Sequence, residues 1–226
     1  MSEPDCPYVS RGGLKLAAAL DAFGVDPSGW VCADLGCSTG GFTDCLLQRG
    51  AAHVYAVDTA YGELAWKLRQ DERVTVIERT NALHYDPWRE LADSGFAGCD
   101  LVVMDLGWTL QARAVPAALR WLRAEGPAGG VISLVKPHYE STDRAMGPDA
   151  EVRGGGGRRR GKRGGRGNRG RRGVLPEPEA ARVLDEVLVS MPAMGVEAAS
   201  HVISPIRGGK GGNIEYLVWL RRVAGA

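Results

Sequence analysis

Over the first 140 residues, short apolar runs that end on polar residues alternate with stretches of helical periodicity. The runs are 31–35 (Val-Cys-Ala-Asp-Leu), 54–58 (Val-Tyr-Ala-Val-Asp), 74–78, 100–105 and 130–136. Their length and near-continuous apolar character predict strands covered on both faces. Between them, Leu16, Leu20 and Phe23 recur at i, i+4 and i+7 in a helix over 10–24, which Ser10 would cap and Gly24 would stop. Helices are also expected over 42–49, 63–69 and 115–125, the last with Pro116 in its first turn. Beyond residue 173 come a helix over 177–191 and two strands, 196–203 and 213–221, joined by a glycine-rich turn suited to an antiparallel return. In the final strand Ile214, Tyr216, Val218 and Leu220 alternate with Glu215, Leu217 and Trp219, so both faces are apolar. Glu215 then stands half-buried, where a carboxylate is costly without a partner; otherwise it is an edge or surface acid.

This order predicts an α/β chain with a mostly parallel seven-stranded sheet, an antiparallel C-terminal strand and helices on both faces. The 226 residues suit one domain, 1–226. In such sheets the working site lies beyond the carboxyl ends of the strands. Asp34, Asp58, Asn81, Asp105 and Lys136 all fall at or near those ends.

The segment 36–41, Gly-Cys-Ser-Thr-Gly-Gly, links the first strand to a helix opening at Phe42. Small residues let its backbone approach a ligand, and the helix N-terminus offers unpaired N–H groups. The glycines at 36, 40 and 41 do not have the dinucleotide G-x-G-x-x-G spacing. With Asp34 before the turn and Asp58 ending the next run, a ligand bearing an amine and ribose hydroxyls, such as S-adenosylmethionine, fits better than a pyrophosphate. A plain strand-to-helix turn is the alternative.

Charge changes the picture. The segment 153–173 holds ten basic residues, ten glycines and Asn168; outside it 18 basic residues face 27 acidic ones, a net of −9. The chain is thus an acidic body with one concentrated basic segment. No run of about 18 uncharged apolar residues suggests a membrane span. The five cysteines are odd in number and contain no C-x-x-C pair, which points to reduced thiols, a cytoplasmic setting and no metal site.

Read together, Tyr8-Val-Ser-Arg-Gly-Gly-Leu-Lys-Leu16, Asp34-Leu-Gly-Cys-Ser-Thr-Gly-Gly-Phe-Thr43, Glu78-Arg-Thr-Asn-Ala82, Val102-Val-Met-Asp-Leu106, Leu134-Val-Lys-Pro137 and Gly212-Asn-Ile-Glu-Tyr216 carry a resemblance. The chain resembles the RrmJ/FtsJ-like ribose 2′-O-methyltransferases, and within them the haemolysin A (TlyA) type that acts on ribosomal RNA. The resemblance implies a class I, Rossmann-like methyltransferase fold and S-adenosylmethionine as cofactor. It implies a catalytic tetrad of Lys15, Asp105, Lys136 and Glu215, although Lys15 read alone is a solvated helix lysine. Lys136 is the candidate base, its pKa lowered by burial and by Lys15, with Asp105 holding it and Glu215 orienting Lys15. Cofactor contacts carry over to Asp34, Gly36, Ser38, Gly40, Gly41, Phe42, Asp58, Asn81 and Asp105.

Two departures follow. TlyA-type proteins carry an N-terminal S4-like RNA-binding domain, and an enzyme lacking it is the expectation here. Gly107-Trp108 stands where Ser-Phe usually follows the aspartate. The Arg/Gly segment cannot form a core and is expected to be disordered. As RNA contacts it offers Arg153, Arg158, Arg159, Arg160 and Lys162, then Arg163, Arg166, Arg169, Arg171 and Arg172. A solvated insertion of no consequence is the alternative. RNA, ribosomal first, is the expected partner, with transfer RNA or a non-catalytic ribosome-assembly role as competing readings.

Overall fold

The computed structural model describes residues 6–123, 129–143, 174–208 and 212–223, so the basic segment 153–173 lies outside the described residues. In chain order it builds α1 (Gly12–Phe23), β1 (Val31–Leu35), α2 (Gly41–Gln48), β2 (His53–Val57), α3 (Trp66–Arg69), β3 (Val74–Ile77) and α4 (Pro87–Glu90). There follow β4 (Leu101–Met104), α5 (Gln111–Leu119), β5 (Gly130–Val135), α6 (Pro137–Asp143), α7 (Glu177–Ser190), β6 (Val196–Ile203) and β7 (Tyr216–Arg222). The strands form one sheet in the order β3-β2-β1-β4-β5-β7-β6. β1 to β5 pair in parallel, and β7 lies antiparallel between β5 and β6. The order reverses between β1 and β4, which opens a crevice at their carboxyl ends.

Side chains alternate between the faces of each strand, so each strand feeds two cores. On β4, Leu101 and Val103 join Leu16, Leu20, Phe42, Leu46 and Leu68 beneath α1, α2 and α3. Val102 and Met104 join Val115, Trp121 and Leu184 beneath α5 and α7. All four β4 side chains are buried, each worth roughly 1.5–3 kcal/mol for a side chain of that size. β7 splits as its sequence alternation predicts, with Tyr216, Val218 and Leu220 in one core and Leu217 and Trp219 in the other.

Several boundaries differ from expectation, each for a local reason. Ser10 does not cap α1: Arg11 holds the N-cap position without a side-chain bond, and Ser10 packs against the Gly41 contact between α1 and α2. The helix expected over 63–69 is only the four residues of α3, because Ala65 is extended and its N–H donates to the Thr39 carbonyl at 3.1 Å. α5 begins four residues early, so Pro116 sits inside it rather than in its first turn. Pro137, expected only to end a strand, also opens α6, where a missing N–H costs nothing.

Among the described residues three non-glycine positions have left-handed backbone, Ser38 (φ 47°), Arg79 (φ 54°) and Trp108 (φ 56°). They lie shortly after β1, β3 and β4, all at the carboxyl edge of the sheet.

Candidate active site

The turn after β1 is pinned to the neighbouring strand, since the Gly36 and Cys37 N–H groups both donate to the Val57 carbonyl, at 2.8 and 3.1 Å. A Cβ on Gly36 would stand 2.5 Å from the Asp105 carbonyl oxygen, so only glycine lets the ends of β1 and β4 close up. Asp34 is fully buried at the end of β1. Its Oδ2 accepts from the Thr43 N–H at 3.0 Å and from Thr43 Oγ1 at 2.7 Å, while Oδ1 has no hydrogen-bond partner. Burial pushes this carboxyl up to about 7, against the pull of Thr43 and with added push from Asp105 and Asp58. Asp58, just past β2, accepts from the Ser38 and Ala60 N–H groups, each at 2.8 Å.

Two lysine–carboxylate pairs stand nearby. Lys15 of α1 meets Glu215, immediately before β7, with Nζ donating to Oε2 at 2.5 Å across 200 residues of chain. Lys136, immediately after β5, donates to Asp105 Oδ1, immediately after β4. Glu215 is buried, 3% exposed, which removes its reading as a surface acid. Gly208 leaves it room, because a Cβ there would overlap Glu215 Oε1. One expectation is overturned: Lys136 is not shifted downward. Burial does press its pKa down, but the Asp105 charge and hydrogen bond outweigh it, with Glu215 and Tyr139 adding to the rise. The expected push from Lys15 is not among the main influences on Lys136.

Two cavities share Gly36, Ser38 and Asp105. One, of about 260 Å³, is lined by Lys15, Asp34, Gly41, Phe42 and the rim arginines Arg11 and Arg207. The other, of about 440 Å³, is lined by Asp58, Thr80, Asn81, Leu83, Trp108 and Lys136. Every proposed tetrad and cofactor residue lines one or the other except Gly40 and Glu215. Gly40 (φ 96°) shapes the turn and packs against Leu64 and Leu68 of the α3 segment. Glu215 is paired with Lys15 but does not itself line the cavity. Cys37 also faces the first cavity, but burial drives its thiol upward and keeps it protonated, as befits a packing residue. Thr43, Gly208 and Trp108 were not singled out as site residues from sequence. Thr43 closes the glycine-turn motif and Trp108 stands in the Gly107-Trp108 departure after the aspartate, whereas Gly208 carries no local signal.

Residues 8–154 match the FtsJ-like methyltransferase family, and the pairs just described lie within or against that span. The chain belongs to this family. The 16S/23S rRNA (cytidine-2′-O)-methyltransferase TlyA of Mycobacterium tuberculosis is 37% identical over 98% of this FtsJ-like chain and 71% of its own length. Hemolysin A of Brachyspira hyodysenteriae is 31% identical over 93% of the chain and 75% of its own length. Among solved structures, one from Streptococcus thermophilus named as a hemolysin superposes with a TM-score of 0.77 at 33% identity, over 99% of this methyltransferase and 70% of that chain. Fibrillarin from Aeropyrum pernix, at 17% identity and a TM-score of 0.56 over 93% of this chain and 76% of its own, shares the fold. No described helix of this methyltransferase is long and apolar enough to cross a membrane.

Proposed function

We propose that this FtsJ-like methyltransferase transfers a methyl group from S-adenosylmethionine to a ribose 2′-hydroxyl of RNA, with ribosomal RNA as substrate. The observation that carries the reading is the pair of contacts Lys15–Glu215 and Lys136–Asp105, contributed by four separate segments at one crevice. The cofactor suits the residues present. The orphaned, buried Oδ1 of Asp34 calls for a donor such as an ammonium group. Asp58, just past β2, is the proposed acceptor for ribose hydroxyls, and Asn81 and Leu83, which line the same cavity, are proposed to flank the base. Bound there, the cofactor supplies an electrophilic methyl on a positively charged sulfur.

The chain's own task is to handle a proton. A ribose hydroxyl is a poor nucleophile at neutral pH and must lose its proton as the methyl arrives. Lys136 Nζ is the proposed acceptor. In the free protein Asp105 holds that ammonium charged. A positively charged sulfonium held in the crevice would oppose the Asp105 charge and lower the Lys136 pKa, so that Nζ would release its proton to solvent and then take the one leaving the ribose hydroxyl. Glu215 fixes Lys15, whose ammonium is free to orient the ribose oxygen, and two cations against two anions leave the cluster balanced.

The name of the mycobacterial relative supports ribosomal RNA; transfer RNA is the alternative substrate. A cytoplasmic setting, expected from the cysteine usage, agrees with either substrate. We assign the basic residues of 153–173 to RNA contact by their composition, with the chain as one domain interrupted there. The test is methyl transfer from labelled S-adenosylmethionine to naked 16S and 23S RNA, assembled subunits and transfer RNA, followed by mapping of alkali-resistant linkages. Label on bases rather than riboses, or none on any RNA, refutes the assignment.

A further inference from the structure

Just outside the crevice lies a patch that the tetrad and the cofactor do not use. Tyr61 is 67% exposed and Trp66 70% exposed, five residues apart. Rings of that size facing water need a reason when they cluster with cations. The Arg79 guanidinium lies over the Tyr61 ring, 4.2 Å from its centroid, and makes no ion pair among the described residues. Lys67, next to Trp66 in the chain and more than half exposed, is tethered away to Asp44 of α2 at 2.9 Å. Glu63 is the acid between the two rings in sequence.

The patch is built, not a loose loop. Arg79 takes left-handed backbone, held by its N–H donating to the Ala60 carbonyl at 3.1 Å and the Thr80 N–H to the Asp58 carbonyl at 2.9 Å. Glu78 accepts from the Gly62 N–H at 2.8 Å and pairs with Arg69 one turn beyond Trp66. The loop after β2, the end of β3 and α3 are thus tied together. α3 in turn rests on the cofactor turn through the Ala65 N–H to Thr39 carbonyl bond and the Leu64 and Leu68 side chains against Gly40.

We infer that Tyr61, Trp66 and Arg79 form a docking surface for single-stranded RNA flanking the methylated nucleotide. Bases stack on the rings and a phosphate sits on Arg79. Rings with adjacent cations are what unpaired RNA recognises, since every base has a π face and every linkage a charge. Because the patch rests on the cofactor turn, strand bound there enters the crevice beside Asp58. This inference rests on the RNA reading of the function and extends it.

The test uses the full chain and a single-stranded ribosomal RNA fragment that the wild type methylates. Tyr61→Ala and Trp66→Ala should each weaken RNA affinity by about tenfold, since base stacking on one ring is typically worth that much. Neither ring carries charge, so the salt dependence should keep its slope, whereas Arg79→Gln should flatten it by about one phosphate contact. Trp66→Phe should retain most of the affinity, and S-adenosylmethionine affinity should stay unchanged throughout. Wild-type RNA affinity in the Tyr61→Ala, Trp66→Ala double variant, with methylation intact, overturns the docking surface and leaves the function standing. A wild type that neither binds nor methylates any RNA overturns both.

Discussion

Replacing Asp34 with asparagine should separate stability from function, and the sign should depend on pH. The carboxyl is fully buried and displaced from 3.8 to about 7. At 1.36 kcal/mol per pH unit, keeping it ionised in the folded protein at pH 8 costs about 4 kcal/mol. Asparagine has the same shape, is neutral, and can still accept both Thr43 bonds through its amide oxygen. Its amide nitrogen would take the place of the unpartnered Oδ1, at about 1–3 kcal/mol for an unsatisfied donor. The variant should therefore be more stable than wild type by about 1–3 kcal/mol at pH 8. Between pH 4 and 7 the folded protein keeps a proton here that the unfolded chain has released, so wild-type stability falls as pH rises through that window and levels off above it. At pH 5 the wild-type group is already neutral, and the advantage of asparagine should vanish or reverse. Urea unfolding of both proteins at pH 5 and pH 8 without cofactor measures this. The variant should also lose S-adenosylmethionine affinity by roughly tenfold or more, the value of a charged hydrogen bond. An equal stability difference at both pH values would falsify the burial argument.

Lys136→Ala should lower the methyl-transfer rate by about 10²–10⁴ with cofactor affinity kept; a lost affinity instead, read by calorimetry, moves Lys136 from catalysis to binding. Gly208→Ala should push the Glu215 carboxylate off Lys15 and reduce kcat with the melting temperature little changed, because the new methyl meets a side chain and not the core. Unaltered kcat would show that Glu215 does not position Lys15. Deleting 153–173 should weaken RNA binding and flatten its salt dependence while S-adenosylmethionine binding persists; an unchanged salt slope removes that segment from the RNA contact.

Much of the framework is legible because buried strands announce themselves. β4 and β5 are apolar at nearly every position, and β7 alternates so cleanly that its two faces can be assigned residue by residue. Helix limits are less legible where a polar residue has two possible employments. Ser10 looks like a cap, yet its hydroxyl lies against Gly41, a contact that only tertiary packing creates. The Lys136 pKa differs from expectation for a related reason: the partnership with Asp105 is expected from the sequence, but whether its pull outweighs burial is a matter of geometry. The Lys15–Glu215 pair spans the chain; strand alternation marks Glu215 as a carboxylate in want of a partner, but family likeness, not periodicity, points to Lys15.

The main-chain compromises at Ser38, Arg79 and Trp108 have a practical corollary. Each is a position where glycine would relax the backbone, so a screen for heat-resistant variants would tend to collect such replacements. Here all three gather on the rim where ligands arrive. Gains in endurance found there should come with slack grip on substrate, and hardening of this enzyme belongs on the helices far from that edge.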